Sequence, residues 1–142
     1  MSTLDRAIEI AVNAHRHQLD KGGAPYILHP LRVMLAMETL EERIAAVLHD
    51  VVEDSNVTLD NLKQEGFSDE VVVAVGMLTR KKDEDYKTFI RRVSVNKLAR
   101  RVKMADLQDN MDLRRIPNPT PADRARSSKY YNSLVTLRQY RP

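Results

Sequence analysis

The residues best suited to chemistry in this sequence are a small set of histidines and acids, which occur as His29-Pro30, His49-Asp50, Glu53-Asp54 and Asp106 with Asn110. On a helix, Glu53 lies one turn beyond His49, and Asp54 lies one turn beyond Asp50. These ionisable groups stand among Ala and Val residues, where burying them is costly unless a cation compensates their charge. A divalent metal ion supplies that compensation.

The predicted ligand set is His29, His49, Asp50 and Asp106, which offers two imidazoles and two carboxylates. Mixed nitrogen and oxygen ligands without sulfur suit Mn, Fe, Zn or Co and leave room for water. Taken singly, each residue is more typical of a satisfied core group or a solvated helix face, so the prediction depends on their joint arrangement. His15 and His17 lie two positions apart on the first helix and diverge by about 200°. We interpret His15 as structural and His17 as exposed.

The elements that must position these residues are predicted to be helices, because apolar residues recur at spacings of three and four and only 4 Gly occur. A first helix ends before the loop at 20–25, and Pro30 suits the first turn of the next helix. One apolar stripe is predicted from Leu31 to Leu40, and a helix from Ile44 to Val51 carries the His-Asp pair. The expected fold class is all-α, a helical bundle.

Capping residues mark several later helices. Thr58 and Ser68 are predicted N-caps. The run at 71–75 could also form a buried strand, but the cap and the spacing to Leu78 favour a helix. A long helix is predicted from about Asn96 to Leu113, and a last helix begins at Thr120, followed by a first-turn proline.

Length and composition exclude several classes of protein. A chain of 142 residues with 42% hydrophobic content fits one domain over residues 1–142. No apolar run is long enough for a membrane span, and the first residues lack a signal-peptide pattern. With no cysteine, disulfide scaffolds, thiolate zinc sites and cysteine nucleophiles are excluded. We therefore expect a cytoplasmic protein with no membrane partner; its oligomeric state is left open.

Charge is distributed unevenly along the chain. Residues 1–79 contain 6 Lys/Arg and 13 Asp/Glu, a net charge of −7, whereas residues 80–142 contain 17 and 7, a net of +10. An acidic half that supplies metal ligands and a basic half that holds an anion would suit a phosphorylated ligand. Two solvated faces that attract each other explain the same pattern. With 5% aromatic residues, no Trp and no recognisable motif, we expect no nucleic-acid partner.

Several segments together resemble the HD superfamily of metal-dependent phosphohydrolases, and in particular the (p)ppGpp hydrolase domain of RelA/SpoT proteins and the stand-alone small alarmone hydrolases. The matching segments, which come in the family's order and span most of the chain, are Ala14-His15 with Gln18, Lys21, Gly23-x-Pro25-Tyr26-Ile27-x-His29-Pro30, Leu48-His49-Asp50-x-Val52-Glu53-Asp54, and Lys103-x-Ala105-Asp106-x-x-x-Asn110.

The resemblance implies an enzyme with an all-α fold that binds one Mn²⁺ through the four predicted ligands; Fe²⁺ or Zn²⁺ would accept the same set. It assigns Glu53 and Asp54 to positioning and deprotonating the attacking water. Lys21 falls in the segment that borders the base, and Asn110 on a residue lining the nucleotide pocket. Lys103 belongs to the basic half that could neutralise a pyrophosphate. The implied reaction removes the 3′-pyrophosphate of ppGpp or pppGpp and leaves GDP or GTP.

Departures from the family pattern fall at residues expected to recognise the base, whereas the predicted metal ligands and the Glu53-Asp54 pair match the pattern. Asp20-Lys21-Gly22 stands where the family usually has Arg-Lys-Ser, so an anion replaces a cation beside the base. His17 replaces a usual Gly, Ala24 a usual acid, and Asp112 a frequent Arg. Two alternatives therefore stay open: an HD phosphohydrolase acting on (p)ppApp or another phosphorylated nucleotide, and a non-catalytic module that binds an alarmone or a metal.

Overall fold

A computed structural model describes residues 2–142 of the chain. Over this range there is no β-strand, and the only strand-like pairing is an isolated bridge between Leu19 and Pro25. A short 3-10 helix at Leu113–Arg115 interrupts a succession of α-helices, which are α1 Leu4–Ala14, α2 Leu28–Leu35, α3 Leu40–Leu48, α4 Val51–Asp54, α5 Leu59–Gln64, α6 Asp69–Leu78, α7 Tyr86–Ser94, α8 Lys97–Asn110 and α9 Pro121–Arg138. The all-α prediction is confirmed.

Helix α3 forms the centre of the core. Its second half, 44–48, is buried on every side, as expected for a helix that is apolar all round. Helices α1, α2, α6 and α8 all pack against it. Because His49 follows directly on this buried segment, the His49-Asp50 pair is held at the end of the central helix of the core.

Local capping accounts for most helix starts. The Ser68 hydroxyl accepts from the backbone N–H of Val71 at 3.3 Å, and the run at 71–75 lies within α6, so the helix interpretation is confirmed over the strand. Thr58 and Thr120 begin α5 and α9 with reciprocal capping boxes. These bonds satisfy backbone N–H groups that the first helical turn cannot pair internally.

Three predicted boundaries were wrong. The stripe from Leu31 to Leu40 is not continuous, because a capping box between Thr39 and Glu42 starts a new helix; Leu40 itself is 60% exposed. The helix through the His-Asp pair breaks after Leu48, although Asp54 N–H still bonds to the Asp50 carbonyl at 2.9 Å. Helix α8 ends at Asn110, before Leu113.

The loop between α1 and α2 is held by its own backbone and by one acid. Asp20 Oδ1 accepts from the N–H groups of Gly22 and Ala24, both at 2.9 Å. A Cβ on Gly22 would lie 2.3 Å from the Arg115 carbonyl oxygen, so only glycine fits where the loop touches the 3-10 helix. His17 adopts φ of 68°, which explains why a glycine suits that position.

Candidate metal centre

His29, His49, Asp50 and Asp106 converge at the junction of α2, α3, α4 and α8. Each offers a ligand atom within 4.8 Å of the others, although Asp106 lies 77 positions beyond His29 in the chain. His29, His49 and Asp106 are buried. The structure therefore brings the four predicted ligands into one group that could hold a divalent metal ion.

The chemistry of His49 fits a metal ligand. Its Nδ1 lies 2.6 Å from the Ala46 carbonyl oxygen, which fixes a proton on that nitrogen. Its Nε2 lies 3.0 Å from Asp50 Oδ2 and 3.3 Å from Asp106 Oδ1, yet this buried atom has no hydrogen-bond partner. An unpartnered buried Nε2 that faces two carboxylates is the arrangement expected where a cation completes the group.

His29 is set between two carboxylates. Its Nε2 lies 2.8 Å from Asp106 Oδ1, and its Nδ1 lies 2.6 Å from Asp109 Oδ2. Burial lowers the pKa of His29, but these two hydrogen bonds outweigh it and raise the pKa above its ordinary value. The pKa of His49 is likewise raised against burial, by Asp50 and Asp106. The surrounding carboxylates therefore favour positive charge at both imidazoles, as they would favour a bound cation.

Asp106 connects the metal group to the basic half of the chain. Lys103 Nζ donates to Oδ2 at 2.8 Å, and Asn110 Nδ2 donates to Oδ1 at 3.1 Å. Burial alone would raise the pKa of Asp106, but Lys103 and the two histidines hold it well below its usual range. Lys103 and Asn110, both predicted to bind substrate, thus already contact a metal ligand within the protein.

Tyr26 supports the fourth ligand. Its hydroxyl donates to Asp50 Oδ2 at 2.6 Å, and its ring packs against those of His15 and His29. His15 is buried, and its Nδ1 lies 2.9 Å from Gln18 Oε1, which agrees with its structural interpretation. The sequence pattern contained Tyr26 but gave it no role.

Glu53 and Asp54 lie on α4, next to Asp50. Partial burial of the carboxyl groups, together with the charge of Asp50, raises the pKa of Glu53 and raises that of Asp54 to about 6. Glu53 Oε1 accepts from the backbone N–H of Arg80 at 3.1 Å, which fixes its position. Both residues remain open to solvent. A carboxyl group whose pKa is raised toward that of the surrounding water is better suited to exchanging protons with it, and for Asp54 the raised value of about 6 approaches neutrality.

A cleft of about 260 Å³ opens beside the metal group. It is bordered by Lys21, His29 and Asn110, so two residues predicted to bind substrate share its wall with a metal ligand. Arg32 and Arg115 also line it, and sequence analysis missed both. The signal for Arg32 was its position three residues after His29, on the same helix face.

The HD domain family matches residues 7–116, and the chain belongs to that family. The 3′-pyrophosphohydrolase of guanosine-3′,5′-bis(diphosphate) from Aquifex aeolicus is 34% identical over 120 residues, covering 76% of this chain and 17% of the relative. A protein named probable GTP pyrophosphokinase from Mycobacterium leprae is 33% identical over 142 residues, covering 90% of this chain and 18% of the relative. The chain thus spans less than a fifth of each of these two relatives.

The fold is shared with a solved structure titled as a metazoan ortholog of SpoT that hydrolyses ppGpp and plays a role in starvation responses. The TM-score is 0.81 at 22% sequence identity, over 98% of this chain and 86% of the other. The helical HD-type fold expected from the sequence is confirmed. Among the helices of residues 2–142, none combines the length and apolar character needed to cross a membrane.

Proposed function

We propose that residues 1–142 form a single HD domain that hydrolyses nucleotide polyphosphates with Mn²⁺, and that its substrate is ppGpp or pppGpp. Water would cleave the bond between the 3′ oxygen and the pyrophosphoryl group, yielding GDP or GTP and pyrophosphate. The observation that carries the proposal is the convergence of four ligand atoms within 4.8 Å, next to two carboxyls of raised pKa. The names of the relatives support this choice of substrate.

The four ligands would hold the ion, and Fe²⁺ or Zn²⁺ would suit the same donors. When bound, the ion supplies positive charge that polarises a phosphoryl oxygen and lowers the pKa of water. Glu53, held by the Arg80 N–H, orients the attacking water and accepts its proton, and Asp54 shares this task. Lys21 and Asn110 contact the nucleotide from the cleft wall.

Lys103 supports phosphate binding in two ways, through its own positive charge and by neutralising the Asp106 carboxylate. Its ammonium group is held 2.8 Å from Asp106, so it balances that carboxylate and keeps positive potential beside the phosphoryl position. The pKa of Lys103 is raised by Asp106 in spite of burial, which keeps the amine charged throughout the neutral range.

Asp20 lies on the cleft wall and also supports the backbone of its own loop. Both backbone N–H bonds to its Oδ1 shape the loop, so the replacement of a cation by this acid has a local structural reason. We therefore retain guanine, which the named relatives share, as the proposed base.

A substrate panel tests the proposal. The protein reloaded with Mn²⁺ is incubated separately with ppGpp, pppGpp, ppApp and GTP, and the products are separated by anion exchange. We expect GDP or GTP with equimolar pyrophosphate from the first two only. Preferential turnover of ppApp would contradict the choice of base. Metal-bound protein that turns over none of the four would support a non-catalytic module.

A further inference from the structure

The second nitrogen of the metal-site residue His29 is held by a carboxylate that belongs to no predicted ligand set. Asp109 lies on α8 one turn beyond Asp106, and its Oδ2 is 2.6 Å from His29 Nδ1. Since a carboxylate only accepts, this hydrogen bond keeps a proton on Nδ1, so Nε2, which lies 2.8 Å from Asp106 Oδ1, is the nitrogen that would bind the metal ion.

Asp109 is itself fixed by two arginines. Arg32 donates through Nε to Oδ1 at 2.8 Å and through a terminal nitrogen to Oδ2 at 3.1 Å, a paired geometry that locks the carboxylate plane. Arg115 donates to the Asp109 carbonyl oxygen at 3.1 Å. Arg32 lies one turn after His29 on α2, so α2 and α8, which carry His29 and Asp106, also carry this supporting pair.

We propose that Asp109 and Arg32 are positioning residues that hold His29 in the tautomer and orientation required to bind the metal ion. The chain of contacts runs from the Arg32 guanidinium through the Asp109 carboxylate to the His29 ring and ends at its Nε2. A carboxylate behind a ligating imidazole also increases the basicity of the ring, which strengthens its bond to a cation. The inference rests on the proposed function only through the metal site.

The variants differ in which part of the Arg32–Asp109–His29 contact they remove. Asp109→Asn keeps an acceptor for the His29 Nδ1 proton but loses the negative charge, whereas Asp109→Ala removes both. Arg32→Lys keeps a positive charge but cannot form the paired geometry. Glu84→Gln is the matched control, because Glu84 is likewise a carboxylate held by two nitrogens of one arginine, Arg92, and has no hydrogen bond to His29.

Metal affinity is measured without substrate, by calorimetric titration of the chelated protein with Mn²⁺. We expect Asp109→Ala to weaken binding by about 10–100-fold, with Asp109→Asn and Arg32→Lys at the lower end of that range. Adding Arg32→Lys to Asp109→Ala is expected to weaken binding no further, since both changes act on one ring. The control should stay within about twofold of the parent.

Thermal unfolding of the metal-free proteins separates positioning from simple stabilisation. We expect Arg32→Lys, a change at a side chain one third exposed, to leave the melting temperature nearly unchanged while it weakens metal binding. Parent-like Mn²⁺ affinity in Asp109→Ala would overturn this inference and leave the proposed function standing. A parent protein that binds no divalent ion would instead overturn the proposed function, and with it the role given to Asp109.

Discussion

Replacing Asp106 with alanine removes a predicted metal ligand whose carboxylate also contacts three other polar side chains. The carboxylate is 2.8 Å from His29 Nε2, 2.8 Å from Lys103 Nζ and 3.1 Å from Asn110 Nδ2, and only 3% of the residue is exposed. Truncation removes one of four predicted ligands and leaves the Lys103 ammonium group without its partner. Both metal content and stability should therefore fall.

The stability loss can be worked from the Lys103 pair. Breaking a buried ion pair by removing one member costs about 3–5 kcal/mol, and the 13% exposure of the Lys103 side chain places this case near the lower value. A loss of about 3 kcal/mol corresponds to a fall of about 10 °C in Tm for a chain of this size. A second change, Lys103→Met, removes the stranded charge and should recover much of that loss without restoring metal binding.

The assay combines elemental analysis after purification with thermal unfolding of the chelated proteins. The parent is expected to carry near-stoichiometric metal, and both Asp106→Ala and the double variant to carry almost none. Equal metal in the parent and Asp106→Ala would remove Asp106 from the site. A double variant no more stable than Asp106→Ala would refute the reasoning about the stranded Lys103 charge.

Three further predictions address the role proposed for Glu53, the proton balance of the metal group and the loop between α1 and α2. Glu53→Gln keeps the shape of the side chain but cannot accept a proton, so kcat should fall at least about 100-fold with metal affinity unchanged; full activity would exclude Glu53 as the base. Because the neighbouring carboxylates raise the pKa values of His29 and His49 above their ordinary value, Mn²⁺ binding should displace protons from the site and tighten as pH rises; calorimetry in buffers of different ionisation enthalpy measures this, and binding independent of pH would contradict it. His17→Gly should stabilise the protein by about 0.5–1 kcal/mol by relieving a left-handed backbone, whereas His17→Ala should give no gain; equal Tm values for the two variants would refute this.

Local chemistry made much of the fold predictable from the sequence. Thr58, Ser68 and Thr120 cap the helices that follow them. The hydroxyl of each accepts from the backbone N–H three residues later, a contact that depends on local geometry alone and not on tertiary packing. The break at Thr39 has the same cause and a readable signal, the Glu42 of its capping box, but the apolar spacing from Leu31 to Leu40 concealed it.

The candidate metal ligands could be predicted from the sequence, but the residues that hold those ligands in place could not. Histidines and acids in a recurring pattern indicated the four ligands. The pairing of Arg32 with Asp109 joins residues 77 positions apart, so it follows from the packing of α2 against α8 and from no local spacing. Asp20 was considered only for its charge beside the base, and the structure adds a local role, because its Oδ1 accepts from two N–H groups of the loop backbone.

The most direct test of the account is the fate of ppGpp with chelated protein before and after Mn²⁺ is restored, with GDP and pyrophosphate quantified over time. The account predicts no turnover after chelation, and equimolar GDP and pyrophosphate once Mn²⁺ is added to the parent, with neither product from Asp106→Ala. Hydrolysis that persists in the chelated protein, or that proceeds equally in Asp106→Ala, would contradict the assignment of the catalytic centre to these four ligands.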